Sequence, residues 1–125
     1  MGMHIIRLAD ARPFDPPGYR GVRPVRLQGG DVAPDAGIGV AQSYDLPSGE
    51  AAMAPQPLER VHVTVAGELT MISEGRESTL RPLDSVRFTA GTVRGEANRM
   101  HLPAGAPVIR RADRAAAPAA PGERS

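Results

Sequence analysis

The chain has 125 residues, no cysteine and no tryptophan, and its 15 basic and 14 acidic side chains leave a net charge of +1. This length predicts a single domain. The absence of cysteine excludes disulfides, thiolate metal sites and a cysteine nucleophile, so any metal site would have to use His, Asp or Glu. A charge near zero and a set of only two Phe and two Tyr also argue against nucleic-acid binding.

No run of about 18 apolar residues is present that could span a bilayer, and the first residues lack the apolar stretch of a signal peptide. We therefore expect a cytoplasmic protein that does not bind membranes. The 14 glycines and 13 prolines indicate either disorder or many short elements joined by turns, and their positions distinguish the two.

The first 20 residues form an irregular arm, with a candidate strand over residues 4–8 and a loop over 12–18. Polar and apolar residues then alternate over 38–46 and 60–65, which predicts two strands. A hairpin follows, in which Gly75 takes a positive φ in the turn at 73–76. Further short strands are expected at 78–80, at 85–88, around Val93, at 99–102 and at 108–109.

Short strands at intervals of about eight to twelve residues, separated by turn residues, are typical of a β-sandwich or barrel. The predicted class is therefore all-β. We place an N-terminal arm at residues 1–20, the barrel at 21–111 and a disordered tail, rich in Ala and Pro, at 112–125.

One segment of the sequence carries a family resemblance. The hairpin sequence Val-Ala-Gly-Glu-Leu-Thr at 65–70 and the spacing from Leu83 to Asn98 resemble the small single-domain cupins. Gly91 and Asn98 match the second motif of that family in identity as well as in position. The resemblance implies a cupin-like double-stranded β-helix (jelly-roll) barrel that forms a homodimer.

Metal binding in this family uses three His and one Glu from two motifs. Counting from Gly67 places Ala54 and Gln56 at two His positions and Arg60 at the Glu position, while Arg94 stands at the remaining His position. Alanine offers no donor atom, and a guanidinium group does not bind metals because it stays protonated. We expect no cofactor and no metal at the usual position. A relocated metal site made of His62, His101, Glu59 and Glu96 remains an alternative.

Two arginines at these positions indicate an anion site instead. The planar fork of Arg60 or Arg94 matches a carboxylate or a phosphate, and His62 lies close enough along the strand to transfer a proton as a catalytic base. Gln56 and Thr64 complete the predicted ligand-binding set.

The opposite orientation of the strand at 60–65 is the ordinary one. Apolar residues of a strand usually face the core, which would turn Val61 and Val63 inward and leave Arg60 and His62 in solvent. In that case the arginines would pair with nearby glutamates, and we take this orientation as the default.

Three functions remain open at this level. The first is a cupin-domain protein without the usual metal that binds a small molecule in its cavity, an anionic one if the arginines face inward. The second is a metal-independent isomerase, cyclase or lyase-type enzyme, and the third is a structural or regulatory dimeric module with a filled barrel and no ligand. A barrel hosts all three, so the fold alone does not separate them.

Overall fold

The short segments between turns fold into ten strands and no α-helix over residues 2–112, the part of the chain that the computed structural model describes. All the pairings between these strands are antiparallel. Seven of the strands are neighbours in the sheet in the order β7-β6-β9-β4-β10-β5-β8. This confirms the all-β barrel. The strands are β1 (Arg12–Pro13), β2 (Tyr19–Val22), β3 (Val25–Gln28), β4 (Ile38–Pro55), β5 (Arg60–Val63), β6 (Leu69–Ser73), β7 (Arg76–Leu80), β8 (Ser85–Phe88), β9 (Val93–Ala97) and β10 (Ala104–Arg111).

Strand β4 has 18 residues and connects the two halves of the barrel. Its first half pairs with β3 and β10, and its second half pairs with β2 and β9. The strand bends at Ser48, whose φ is +67°. The Ser48 amide donates to the Asn98 carbonyl at 2.9 Å, and the Asn98 amide donates to the Gly49 carbonyl at 2.9 Å. The bend is therefore fastened to the end of β9.

Asn98 is a buried structural clamp. Its Nδ2 donates to the carbonyls of Asp45 at 3.0 Å and Leu102 at 2.9 Å, while its Oδ1 accepts from the Met100 amide at 3.0 Å. Because this side chain occupies backbone groups that a strand would pair, residues 99–102 form a bent loop, and the strand predicted there was wrong.

The predicted hairpin at 73–76 is confirmed. Glu74 and Gly75 both have positive φ, +54° and +74°, as a two-residue type I′ turn requires. The strand predicted over residues 4–8 is absent, and the chain there leads into a single 3-10 turn at Leu8–Asp10. That segment ends before Arg12, where β1 begins to pair with β3.

One end of the barrel holds a small apolar core made of Leu69, Met71, Phe88, Ala104 and Ala106. The described part of the chain contains no helix that is long and apolar enough to cross a membrane. The predicted tail, apart from Ala112, lies outside the described residues.

The outer surface of the sheet formed by β4, β10 and β5 carries several apolar side chains. Cross-strand neighbours share a face of a sheet, and Ile109 pairs with both Val40 and Val61 on this side. Tyr44 and Leu46 project from the same face of β4 and are 47% and 46% exposed. Exposed apolar side chains gathered on one face are typical of a protein interface.

We expect a second copy of the chain to cover this outer face, as the family resemblance implies. Light scattering should give the mass of two chains, and Tyr44→Glu should reduce it to one because a buried charge opposes association. Val93→Glu is the control, since Val93 is equally exposed, at 46%, but lies on β9. A monomeric unmodified protein would contradict the homodimer.

Gly67 provides a test of the packing between the two halves. Its φ is +69°, and a Cβ there would lie 2.6 Å from the Pro103 carbonyl oxygen, whereas a Cβ at Gly75, with φ +74°, meets nothing within 4 Å. Gly75→Ala should therefore lower the unfolding free energy by about 1–2 kcal/mol through backbone strain alone. Gly67→Ala should lower it by at least about 3 kcal/mol, because the clash adds to that strain. Equal losses in urea unfolding would show that the close approach is unimportant.

Candidate functional site

A cavity of about 440 Å³ opens into the barrel, and none of its lining residues belongs to the apolar core. Its walls come from the segment 14–24 and from β4, β5, β9 and β10. The barrel is therefore not filled by side chains, whereas a purely structural module was expected to have a filled barrel.

The four positions aligned with metal ligands converge on this cavity. Ala54, Gln56, Arg60 and Arg94 all line it, and Ala54 is the direct ladder partner of Arg94 between β4 and β9. Counting along the motifs thus located one place in three dimensions. Thr64, also in the predicted set, is completely buried and does not line the cavity.

The default orientation of β5 was wrong. His62 faces the interior, where it is only 1% exposed, and Arg60 faces the same side, so the valines lie on the outer surface. The ladder neighbours of His62 are Val86 and Val108, and its ring packs edge to face against Phe88 with the centroids 5.5 Å apart. These apolar neighbours satisfy the ring surface and explain why a histidine fits inside.

A charged cluster forms the floor of the cavity. The Glu96 Oε1 atom lies 3.5 Å from His62 Nδ1 and 3.8 Å from Arg94 Nη1. Arg94 also donates from Nη2 to the Tyr19 hydroxyl at 3.2 Å, which links the floor to strand β2. The three charged or titratable side chains are each 3% exposed or less. A bound molecule can therefore touch them only if the partly exposed lining side chains above them move.

Asp45, on β4, lies next to Glu96 but does not itself line the cavity. It is 1% exposed, and its Oδ1 accepts a hydrogen bond of 2.5 Å from the Ser43 hydroxyl. Burial is the main cause that raises the pKa of Asp45 to about 9, and contact with the Glu96 carboxyl raises it further. Two carboxyl oxygens attract each other only when one carries a proton. Asp45 Oδ2 is buried without a hydrogen-bond partner, which favours the neutral, protonated form of Asp45 beside Glu96.

His62 has the opposite character. Burial first, and then the charges of Arg94 and Arg60, lower the pKa of His62 to about 3. The ring is neutral and weakly basic near neutral pH. The carboxyl pair is therefore better suited than His62 to exchange protons at this site.

From the sequence, Asp45 was not assigned to the site and Glu96 was named only as a ligand of the alternative metal site, although two signals pointed to them. Glu96 is two positions from Arg94 on one strand, and strand residues at that spacing share a face. The side of β4 that bears Ser43 and Asp45 also carries small residues, which leave room for a cavity when they face inward.

The metal that the family resemblance implies does not fit the residues present. Its four expected ligand positions hold an alanine, an amide and two guanidinium groups, of which Arg60 and Arg94 are cations that would repel a metal ion. The relocated alternative is not assembled either. Glu59 pairs with Arg87 and Arg111 on the outside, and nowhere in residues 2–112 do three His, Asp or Glu side chains gather in a way that could hold a metal ion.

Known proteins resemble the chain in sequence and in structure. It is 34% identical over 97 residues to beta-D-galactosidase Rv1717 of Mycobacterium tuberculosis, covering 78% of this chain and 84% of that protein. No family profile matches the chain. The polyketide cyclase RemF of Streptomyces resistomycificus superposes with a TM-score of 0.75 at 13% identity, over 87% of this chain and 79% of that one. An RmlC-like cupin of Shewanella frigidimarina gives 0.70 at 14% identity, over 88% and 91%. At these identities the two structures establish the barrel fold and not an activity.

The proton on Asp45 predicts a dependence of stability on pH. The pKa of Asp45 is higher in the folded protein than in the unfolded chain, where it is near 4. The stability that this difference contributes is fully present below about pH 4 and is lost as the pH rises toward about 9. The lowered pKa of His62 changes the unfolding free energy only below about pH 6.5. Between about pH 7 and about pH 9 the change in stability therefore reports on Asp45 and not on His62. Unfolding free energy should fall there by up to about 1.4 kcal/mol per pH unit.

Asp45→Asn should remove this slope, because asparagine keeps the shape and a donor toward Glu96 but has no proton to lose. Urea unfolding across the window measures the effect, with Asp10→Asn as a control at an exposed carboxyl. A slope that survives in Asp45→Asn would mean that the proton is not held at this position.

Proposed function

The chain belongs to the cupin superfamily and to the family of the mycobacterial beta-D-galactosidase, and on that premise we propose that its cavity is the active site of an enzyme acting on a small glycoside. The observation that carries the proposal is the buried pair of Asp45 and Glu96, in which Glu96 lines the cavity and the raised pKa of Asp45 keeps that carboxyl protonated at neutral pH. A β-galactoside is the substrate class that the name of the relative suggests.

The carboxyl pair can act first as an acid and then as a base. Once the lining side chains above the floor have moved aside, the proton of Asp45 passes through Glu96, the member of the pair that lines the cavity, to the glycosidic oxygen. The bond from that oxygen to the anomeric carbon breaks, and the leaving group departs as an alcohol. The pair then carries two negative charges, which Arg94 stabilises from 3.8 Å. Water adds to the anomeric carbon and returns its proton to the pair, so that the enzyme is restored and every atom is accounted for.

This arrangement differs from the usual one in glycosidases. There the two carboxyls stand on opposite sides of the bond, about 5–5.5 Å apart in retaining enzymes and about 6.5–9.5 Å apart in inverting ones. Asp45 and Glu96 are in direct contact and therefore act as a single proton-exchanging group. A metal-independent isomerase, cyclase or lyase could use the same group, with the proton leaving a carbon atom instead.

Binding without turnover is the second candidate. The low exposure of His62, Arg94 and Glu96, between 1% and 3%, favours it. A small molecule seated among Gln56, Arg60 and the other partly exposed lining residues would be held above the floor and would never reach the proton.

The two candidates separate in one assay. If the protein is an enzyme, it should release nitrophenol from 4-nitrophenyl β-D-galactoside. Both Glu96→Gln and Asp45→Asn should lower kcat about 10²–10⁴-fold. KM should change little, because the floor is not where the substrate is first held. Glu77→Gln is the matched control, since Glu77 lies on β7 outside the cavity and pairs with Arg99.

Binding of the galactoside by calorimetry without release of nitrophenol would favour the binding module. Release that persists unchanged in Glu96→Gln and Asp45→Asn would contradict the role of the pair.

A further inference from the structure

Arg60 occupies a conspicuous place in the cavity. It begins β5, where it is the ladder partner of both Phe88 and Arg110, and its side chain is half-buried in the cavity wall. Its Nε is buried and has no hydrogen-bond partner. A guanidinium nitrogen in such surroundings has lost water without gaining a protein acceptor, which is unfavourable unless something else supplies one.

The charges around Arg60 are not balanced. Glu96 pairs with Arg94 and His62, and Asp45 is held in its neutral form, so neither carboxyl compensates Arg60. Over residues 2–112 no carboxylate lies in ion-pair contact with this guanidinium. Burial, followed by the charge of Arg94, lowers the pKa of Arg60 to about 10, which leaves it protonated at neutral pH.

We infer that the substrate of this site carries an oxyanion next to its reacting centre and that Arg60 binds it. A carboxylate of a uronic acid, or the phosphate of a sugar ester, offers paired oxygens that match the guanidinium fork. The anion would neutralise the excess positive charge that Arg60 and Arg94 produce together. This inference rests on the proposed function, because it names the class of sugar that the same cavity accepts.

Binding of three sugars tests the inference on the full chain. Calorimetry with galactose, galacturonate and galactose 6-phosphate should show that at least one acidic sugar binds the unmodified protein about tenfold or more tightly than galactose. The two acidic sugars distinguish the carboxylate from the phosphate. Arg60→Gln should remove the preference, so that the ratio of the affinities for the acidic sugar and for galactose falls to about one.

Two further variants guard against loss of folding as the explanation. Arg60→Lys keeps the charge but not the fork, and should retain part of the preference. Arg87→Gln is the matched control, because Arg87 lies on the neighbouring strand β8 but on its outer surface, bonded to Glu59, and should keep the full preference. Unfolding midpoints establish that each variant is folded.

The outcomes separate this inference from the proposed function. Equal binding of all three sugars, no measurable binding of any of them, or a preference that survives in Arg60→Gln would overturn it. Turnover of a neutral galactoside with no acidic preference would overturn the inference and leave the enzyme. An acidic preference that depends on Arg60, without turnover of any galactoside or galacturonide, would support the inference and contradict the enzyme.

Discussion

The contact between two buried carboxyls, Asp45 and Glu96, is the interaction on which the proposed chemistry depends. Asp45 comes from β4 and Glu96 from β9, and their contact is tolerable only while one proton lies between them. Arg94 compensates the remaining negative charge from the same strand as Glu96. The bend of β4 at Ser48, fastened to Asn98, brings these strands together at the depth where the pair forms.

On β5 the polar side chains face the cavity and the valines face outward, and this orientation limits what sequence patterns can predict. Alternation located the strand at 60–65 and its period correctly, but the rule that apolar residues face inward assigned its two sides incorrectly. His62 and Arg60 line a cavity, and the outer valines form a continuous apolar face with Ile109. A pattern of period two carries no information about which side is inside when both sides have a reason to be covered.

Spacing was more informative than alternation for the site. The family motifs placed Ala54, Gln56, Arg60 and Arg94 at equivalent positions, and all four line one cavity. Asp45 could not be found in this way because it belongs to no motif. Its role depends on contact with Glu96, which lies 51 positions later in the chain. The protonation of a carboxyl reflects burial and neighbouring charge, which arise only when distant strands pair.

Replacement of metal ligands by arginines changes the kind of chemistry the cavity favours. In the proposed function, Arg60 and Arg94 provide fixed positive charge where a metal ion would attract electron pairs from a substrate, and the carboxyl pair provides the mobile proton. The most direct test of this account is a carbon-13 NMR titration of the Asp and Glu side-chain carboxyls. The account predicts one carboxyl that titrates near pH 9 and is absent from Asp45→Asn. Titration of every carboxyl below about pH 5, as for ordinary exposed groups, would contradict it.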